Sequence, residues 1–211
     1  MTRRRKLLII TAVIAFGLVA AEPGPDGPRV DPYQRYVANE LSWRISNNPE
    51  VWQSICDESR RTEQTGVKAF RDMTLAHLGG GNGAIFACSH FEHEEGRAWD
   101  WMNDVNNPED LARVNAMLGW LLASDDRGVP QAMARRLGLA YVIWNQRIIS
   151  FYGSNRGWRP YDCSDNPIPG NCHTNHVHFS FSWAGARAET SWFTVVPRPD
   201  DWYPRLPQPP S

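Results

Sequence analysis

From Asn107 to Ser124 apolar residues recur at three- and four-residue intervals: Leu111, Val114, Met117, Leu118 and Leu121. That interval lines up one stripe of a helix. Asn106 or Asn107 can cap its start, and Pro108 suits a first turn that needs no amide donor. Residues 65–78 carry a second helical pattern, ended by Gly79-Gly80-Gly81. Asp31 to about Ile45 reads as another helix, with Asp31 as cap and Pro32 behind it, and Val129 to Leu137 as a further one. The period changes in HVHFSFSW, residues 176–183, where polar and apolar positions alternate. This predicts a strand with a histidine face and an aromatic face. GAIFAC (83–88) and RAWDWM (97–102) are shorter strand candidates. LAYVIW and RIISFY flank Asn145-Gln146, the pattern of a hairpin. Helices first, then strands with helices inserted, predict an α+β fold: a small antiparallel sheet with helices packed on one side. No internal repeat interrupts this order.

Composition adds a compartment. Arg3, Arg4, Arg5 and Lys6 precede an apolar run from Leu7 to Ala21, and EPGPDGP follows. The run reads as a secretory signal over residues 1–21, with an uncleaved anchor as the alternative and the sole route to a membrane. Residues 22–30 are a Pro/Gly linker, 31–196 a single domain expected to be monomeric, and 197–211 a proline-rich tail. Four cysteines, Cys56, Cys88, Cys163 and Cys172, suit a secreted or cell-envelope protein as two disulfides. Of the three possible pairings, Cys56–Cys88 with Cys163–Cys172 is favoured, because the second closes a short Asp/Asn/Pro/Gly loop. The net charge of −1 offers no basic face for nucleic acid. The 10 tryptophans serve packing, or a platform for sugar or peptide faces.

Chemistry concentrates in the histidines. Five of the six fall in two clusters, His90 with His93 and His173 with His176 and His178. On a strand, His176 and His178 leave the same face, and His173 can lean over it from the preceding turn. In the first cluster Ala98 and Asp100 share a face opposite Trp99 and Trp101. Gly96 lets the chain bend, so a histidine before the bend, His90 or His93, can fold back toward Asp100. Two imidazoles and a carboxylate would give three ligands for zinc with one position left for water, the arrangement of catalytic rather than structural sites. The segment HEEGR is not the helical HExxH motif, since residue 97 is arginine.

His93-Glu-Glu-Gly-Arg-Ala-Trp-Asp100 resembles the HxxGxAxD motif of the zinc D-alanyl-D-alanine peptidase group, and His176-Val-His178 resembles its HxH motif. That group includes penicillin-insensitive murein endopeptidases, phage endolysin peptidases and the Hedgehog signalling domain. Within it, the chain is similar to small secreted domains carrying EGRAWDW, MARRLG, IWN, GWRPY and HxxHxH in that order, over about residues 50–195. The resemblance implies one zinc held by His93, Asp100 and His178, with His90 out of register. It sets His176 and His173 at the positions of non-ligand active-site histidines in the murein endopeptidases.

The chain also departs from the group. Phe91 stands where D-alanyl-D-alanine peptidases commonly have serine, and Asn175 where many have a glutamate base. In Hedgehog-like members the glutamate lies further upstream, where this chain has Cys172. His176 is therefore the expected base, with His173 orienting it or donating a proton, and Asp165 and Glu95 as weaker substitutes. Arg159, Trp158 and Tyr161 of GWRPYDC are candidates to line a groove and meet a substrate carboxylate. The expected activity is a secreted zinc peptidase on peptidoglycan stem peptides or cross-links, of carboxypeptidase or endopeptidase type. The alternative is a non-catalytic zinc-stabilised domain that binds cell wall or protein.

Overall fold

The computed structural model describes residues 62–88, 91–126, 128–151, 157–164, 172–196, 198 and 203–206. The expected leader, linker, helix at 31–45 and most of the tail lie outside these residues, as do Cys56, His90 and Asp165. Helix α1 (Thr65–Leu78) follows the predicted pattern and buries Val67, Phe70, Met73 and Leu78. Strand β1 (Gly81–Asn82) leads to a single-turn helix α2 (Phe91–Glu94) and then to β2 (Ala98–Met102). Helix α3 (Pro108–Leu122) starts as expected. The Asn107 side chain accepts hydrogen bonds from the Glu109 and Asp110 amides, and Val114, Met117 and Leu121 form its buried stripe.

Helix α4 (Ala132–Leu137) is shorter than the predicted 129–137. Val129 is bound on both sides to Asp125, through the Asp125 side chain and backbone, and Gln131 takes a left-handed φ of 57°. The first residues are thus held in a turn, and the helix begins only after it. Strands β3 (Leu139–Trp144) and β4 (Arg147–Ser150) form the predicted hairpin, with Asn145 and Gln146 both at positive φ as a type I′ turn requires. A short β5 (Arg159–Pro160), β6 (His176–Phe181), α5 (Trp183–Ala186) and α6 (Ser191–Thr194) complete the described elements.

The six strands make one antiparallel sheet in the order β1-β2-β6-β3-β4-β5. The α+β class read from the chain is the one observed. GAIFAC is not a strand. Ile85 and Phe86 are both buried in succession, so the segment has no alternating face; its first two residues bond β2, the Gly83 amide donating to the Asp100 carbonyl and the Ala84 carbonyl accepting from the Asp100 amide. One face of the sheet carries Trp99, Trp101, Val142, Ile149, Val177, Phe179 and Phe181 and is covered by α1, α3 and α4. Phe70 of α1 meets Trp99, Phe179 and Phe181 edge-on, with ring centroids 5.1–5.9 Å apart. Helix α2 is the exception to one-sided packing, since its His93 reaches the other face.

Cys163 and Cys172 are joined as expected. Cys88 is also in a disulfide, while the Cys56 end of the other expected pairing is outside the described residues. Among the described residues no helix is long and apolar enough to cross a membrane.

Candidate metal centre

Alternation along β2 and β6 does most of the positioning. Their register sets Asp100 opposite His178 and Met102 opposite His176, so the carboxylate and both imidazoles leave one face, while the indoles and phenyl rings leave the other. His93 comes to the same point from α2 across a turn at Gly96. That glycine has a φ of 66°, and a Cβ there would lie 1.7 Å from the Thr62 carbonyl oxygen, so the bend requires glycine.

Three atoms converge. His178 Nδ1 lies 3.0 Å from Asp100 Oδ1, His93 Nε2 lies 3.3 Å from the same oxygen, and the two ring nitrogens are 3.3 Å apart. Tetrahedral zinc with bonds of 2.0–2.1 Å sets its ligand atoms about 3.3 Å from one another. The triangle therefore fits a small tetrahedral ion, and His93, Asp100 and His178 could hold one. His93 Nδ1 lies 2.9 Å from the Ile85 carbonyl oxygen, so Nδ1 carries the proton and Nε2 presents its lone pair inward. The buried segment 83–88 thus spends a carbonyl on the site instead of on a strand ladder.

The charges agree with this geometry. Burial alone would raise the Asp100 carboxyl, but hydrogen bonding and charge from His178 and His93 hold it well below the usual carboxylate range. Burial likewise opposes a charged His93, yet its bond to Asp100, the Asp100 charge and the Ile85 carbonyl raise its pKa. The site holds one negative charge and attracts a cation or a proton.

The remaining predicted residues divide. His176 Nδ1 lies 2.7 Å from the Asn175 side-chain oxygen, and its Nε2 is turned toward Asp100 Oδ1 at 3.7 Å. His173 packs against His176 and His178, with ring centroids 4.8 and 5.7 Å away. Burial first, then the neighbouring histidines, lower its pKa to about 3, so the ring is neutral. Tyr161 meets His173 edge-on at 5.2 Å. Arg159 shares the site's face of the sheet and donates to Ser150 Oγ at 2.9 Å. Trp158 packs against the hydrophobic core instead of the metal centre. Glu95, a weaker candidate base, is paired with Arg97.

His173 is held at a left-handed φ of 55°, costly for a side chain of that size. Four backbone bonds secure it: Asn145 and Gln146 donate to the His173 and Cys172 carbonyls, Asn103 and Val105 to those of Asn175 and Thr174. The Cys163–Cys172 disulfide closes the adjoining loop. The segment 172–175 is therefore fastened to the sheet on both sides. Inspection of the chain did not single out Tyr141, which stacks on His178, or Glu92 beside it. Only the strand pattern of LAYVIW, which gives Tyr141 and Ile143 a common face, pointed toward the first.

A family model described as "VldE, C-terminal domain" matches residues 59–177, more than half of the 211. The chain belongs to that family. The span matched to VldE contains His93, Asp100, His173 and His176 and ends one residue before His178. No curated protein and no solved structure matches the chain.

Proposed function

We propose that this VldE C-terminal-domain family member is a secreted zinc-dependent peptidase-like hydrolase of peptidoglycan peptides, related to the D-alanyl-D-alanine peptidase group. The observation that carries the reading is the 3.0–3.3 Å triangle of His93 Nε2, Asp100 Oδ1 and His178 Nδ1, with His176 Nε2 beside it. Bound zinc would supply an acidified water, its pKa lowered from 15.7 to about 7, and a Lewis acid for a developing oxyanion. The chain's own groups supply the rest.

His176 takes a proton at Nε2, because Asn175 holds Nδ1 in the donor role and leaves the other nitrogen facing the site. The resulting imidazolium is stabilised by Asp100 and can pass its proton to a leaving amine. His173, kept neutral by burial, supports the His176 ring and is unsuited to acting as a cationic proton donor.

Paired residues run in one row across the sheet: Asp100, His178, Ile143, Ile148 and Arg159. Three strand spacings separate His178 from Arg159, roughly 14 Å at about 4.8 Å each. A substrate carboxylate held by Arg159 would stand three or four extended residues from the bond cut, which favours endopeptidase over carboxypeptidase cleavage. A second reading, a zinc-stabilised binding domain, draws on Asn175 at a position where a carboxylate base is common.

The test is metal content per chain, followed by digestion of cross-linked muropeptides. About one zinc per chain, lost in Asp100→Ala, with cleavage lost in His176→Ala while zinc remains, would support the peptidase. One zinc with saturable muropeptide binding and no cleavage would support the binding domain, and no zinc would sink both.

A further inference from the structure

We infer that Tyr141 is a positioning residue that braces the two histidine-bearing segments of the metal centre against each other. This rests on the metal reading above. The argument begins with a difference between the two histidines. The His93 ring is held by the Ile85 carbonyl, whereas His178 Nε2 is buried with no hydrogen-bond partner among the described residues. A metal-ligating imidazole is ordinarily oriented by such a bond. In its place the Tyr141 ring lies nearly parallel to His178, with centroids 5.6 Å apart and planes 21° apart.

The backbone is arranged to put it there. Leu139 pairs with Phe181 and Tyr141 with Ser180, so β3 carries an extra residue, Ala140, in a bulge against β6. Were the ladder to run on regularly from Leu139↔Phe181, Ala140 would pair with Ser180, and Tyr141 with Phe179, pointing into the core. The bulge re-aims it onto the histidine face. The Tyr141 hydroxyl then lies near both the Glu92 carboxylate and the Ser180 hydroxyl. Glu92 directly precedes His93 in α2 and lies 3.7 Å from the Arg97 guanidinium. One side chain thus touches the strand that carries His178 through its ring, and the helical turn that carries His93 through its hydroxyl. Since α2 is a single turn outside the sheet, this tether adds to the Ile85 and Arg97 contacts that hold it.

The test uses the whole chain, with zinc affinity read by competition against a chromophoric chelator and ligand geometry by the absorption of cobalt(II) as substitute. Tyr141→Leu removes both contacts and should weaken zinc roughly 10- to 100-fold and alter the cobalt spectrum. Tyr141→Phe keeps the stack and loses the hydroxyl contact, so its zinc affinity should fall between those of the parent and Tyr141→Leu. Parental affinity and spectrum in Tyr141→Leu would overturn the brace. Should that variant fail to fold, Tyr141→Phe and Glu92→Ala decide. Each breaks the hydroxyl–carboxylate contact, so both should weaken zinc to a similar degree, with little further loss in the double variant. Parental affinity in both, or fully additive losses, would overturn it. A parent chain that holds neither metal overturns the brace together with the metal reading.

Discussion

The two faces of β2 and β6 are made of alternate residues of the same strands, yet they are built on opposite principles. On one, Trp99, Trp101, Val177, Phe179 and Phe181 share a close-packed core in which each ring has several neighbours. On the other, Asp100, His176 and His178 each have a particular atom in a particular role. The first face is redundant in kind: any filling of similar volume would hold the sheet. The second is not, because a donor atom displaced by an ångström could no longer complete the coordination of an ion held there. The apolar face supplies the free energy that lets the polar face keep charged groups close together out of water.

Substitutions on the two faces should therefore fail in different ways. The largest contrast is between Phe179→Ala and Asp100→Ala. The first should cost about 3–5 kcal/mol of stability, seen by denaturant unfolding, without changing metal stoichiometry in the protein that stays folded. The second should leave the fold intact and bring bound zinc from about one per chain to nearly none. An Asp100→Ala chain that unfolds as readily as Phe179→Ala would erase the division.

Gly83→Ala sharpens it at the boundary. A Cβ there would lie 2.5 Å from the Asp100 carbonyl oxygen and 3.1 Å from Asp100 Cβ, on the metal side of β2. It should weaken zinc by roughly 10-fold or more through Asp100, with a smaller effect on unfolding than Phe179→Ala, as isothermal titration and denaturant curves would reveal.

Acid should also act on one face alone. Zinc needs a neutral His93, and the His93 pKa is raised above 6.5, so protons compete from above that value downward. Asp100, held low, stays ionised throughout and adds no competition near neutrality. Zinc affinity should fall as pH is lowered, by up to about tenfold per unit while one proton is displaced. A pH-independent affinity between pH 5 and 8 would contradict the assignment of His93.

The smallest effect belongs to Asn175→Ala. It removes the acceptor for His176 Nδ1, so muropeptide turnover should drop about tenfold while zinc is retained. Loss of zinc in that variant would make His176 a ligand rather than a base.

Much of this division was legible from residues. The alternation in 97–102 and 176–183 announced both faces, and the capped stripes at 65–78 and 107–124 announced the helices that cover one of them. Local signals sufficed because period and capping are local. What escaped notice is non-local. Ile85 serves the site through its carbonyl, which any residue could offer, so no side-chain pattern reveals it. Tyr141 reaches the site because one residue bulges out of β3, and a bulge is decided by the pairing of two distant segments. The start of α4 was misjudged because Asp125 and Val129 close a turn, and Gln131 takes a conformation its identity does not advertise.

His93 and Asp100 lie within one short stretch, but His178 belongs to a strand that enters the sheet between β2 and β3. A ribosome must therefore release most of the chain before the third ligand exists, and β6 must dock between its neighbours before that ligand faces the other two. An ion bound by these three residues would then be the last component to join the assembly rather than its seed.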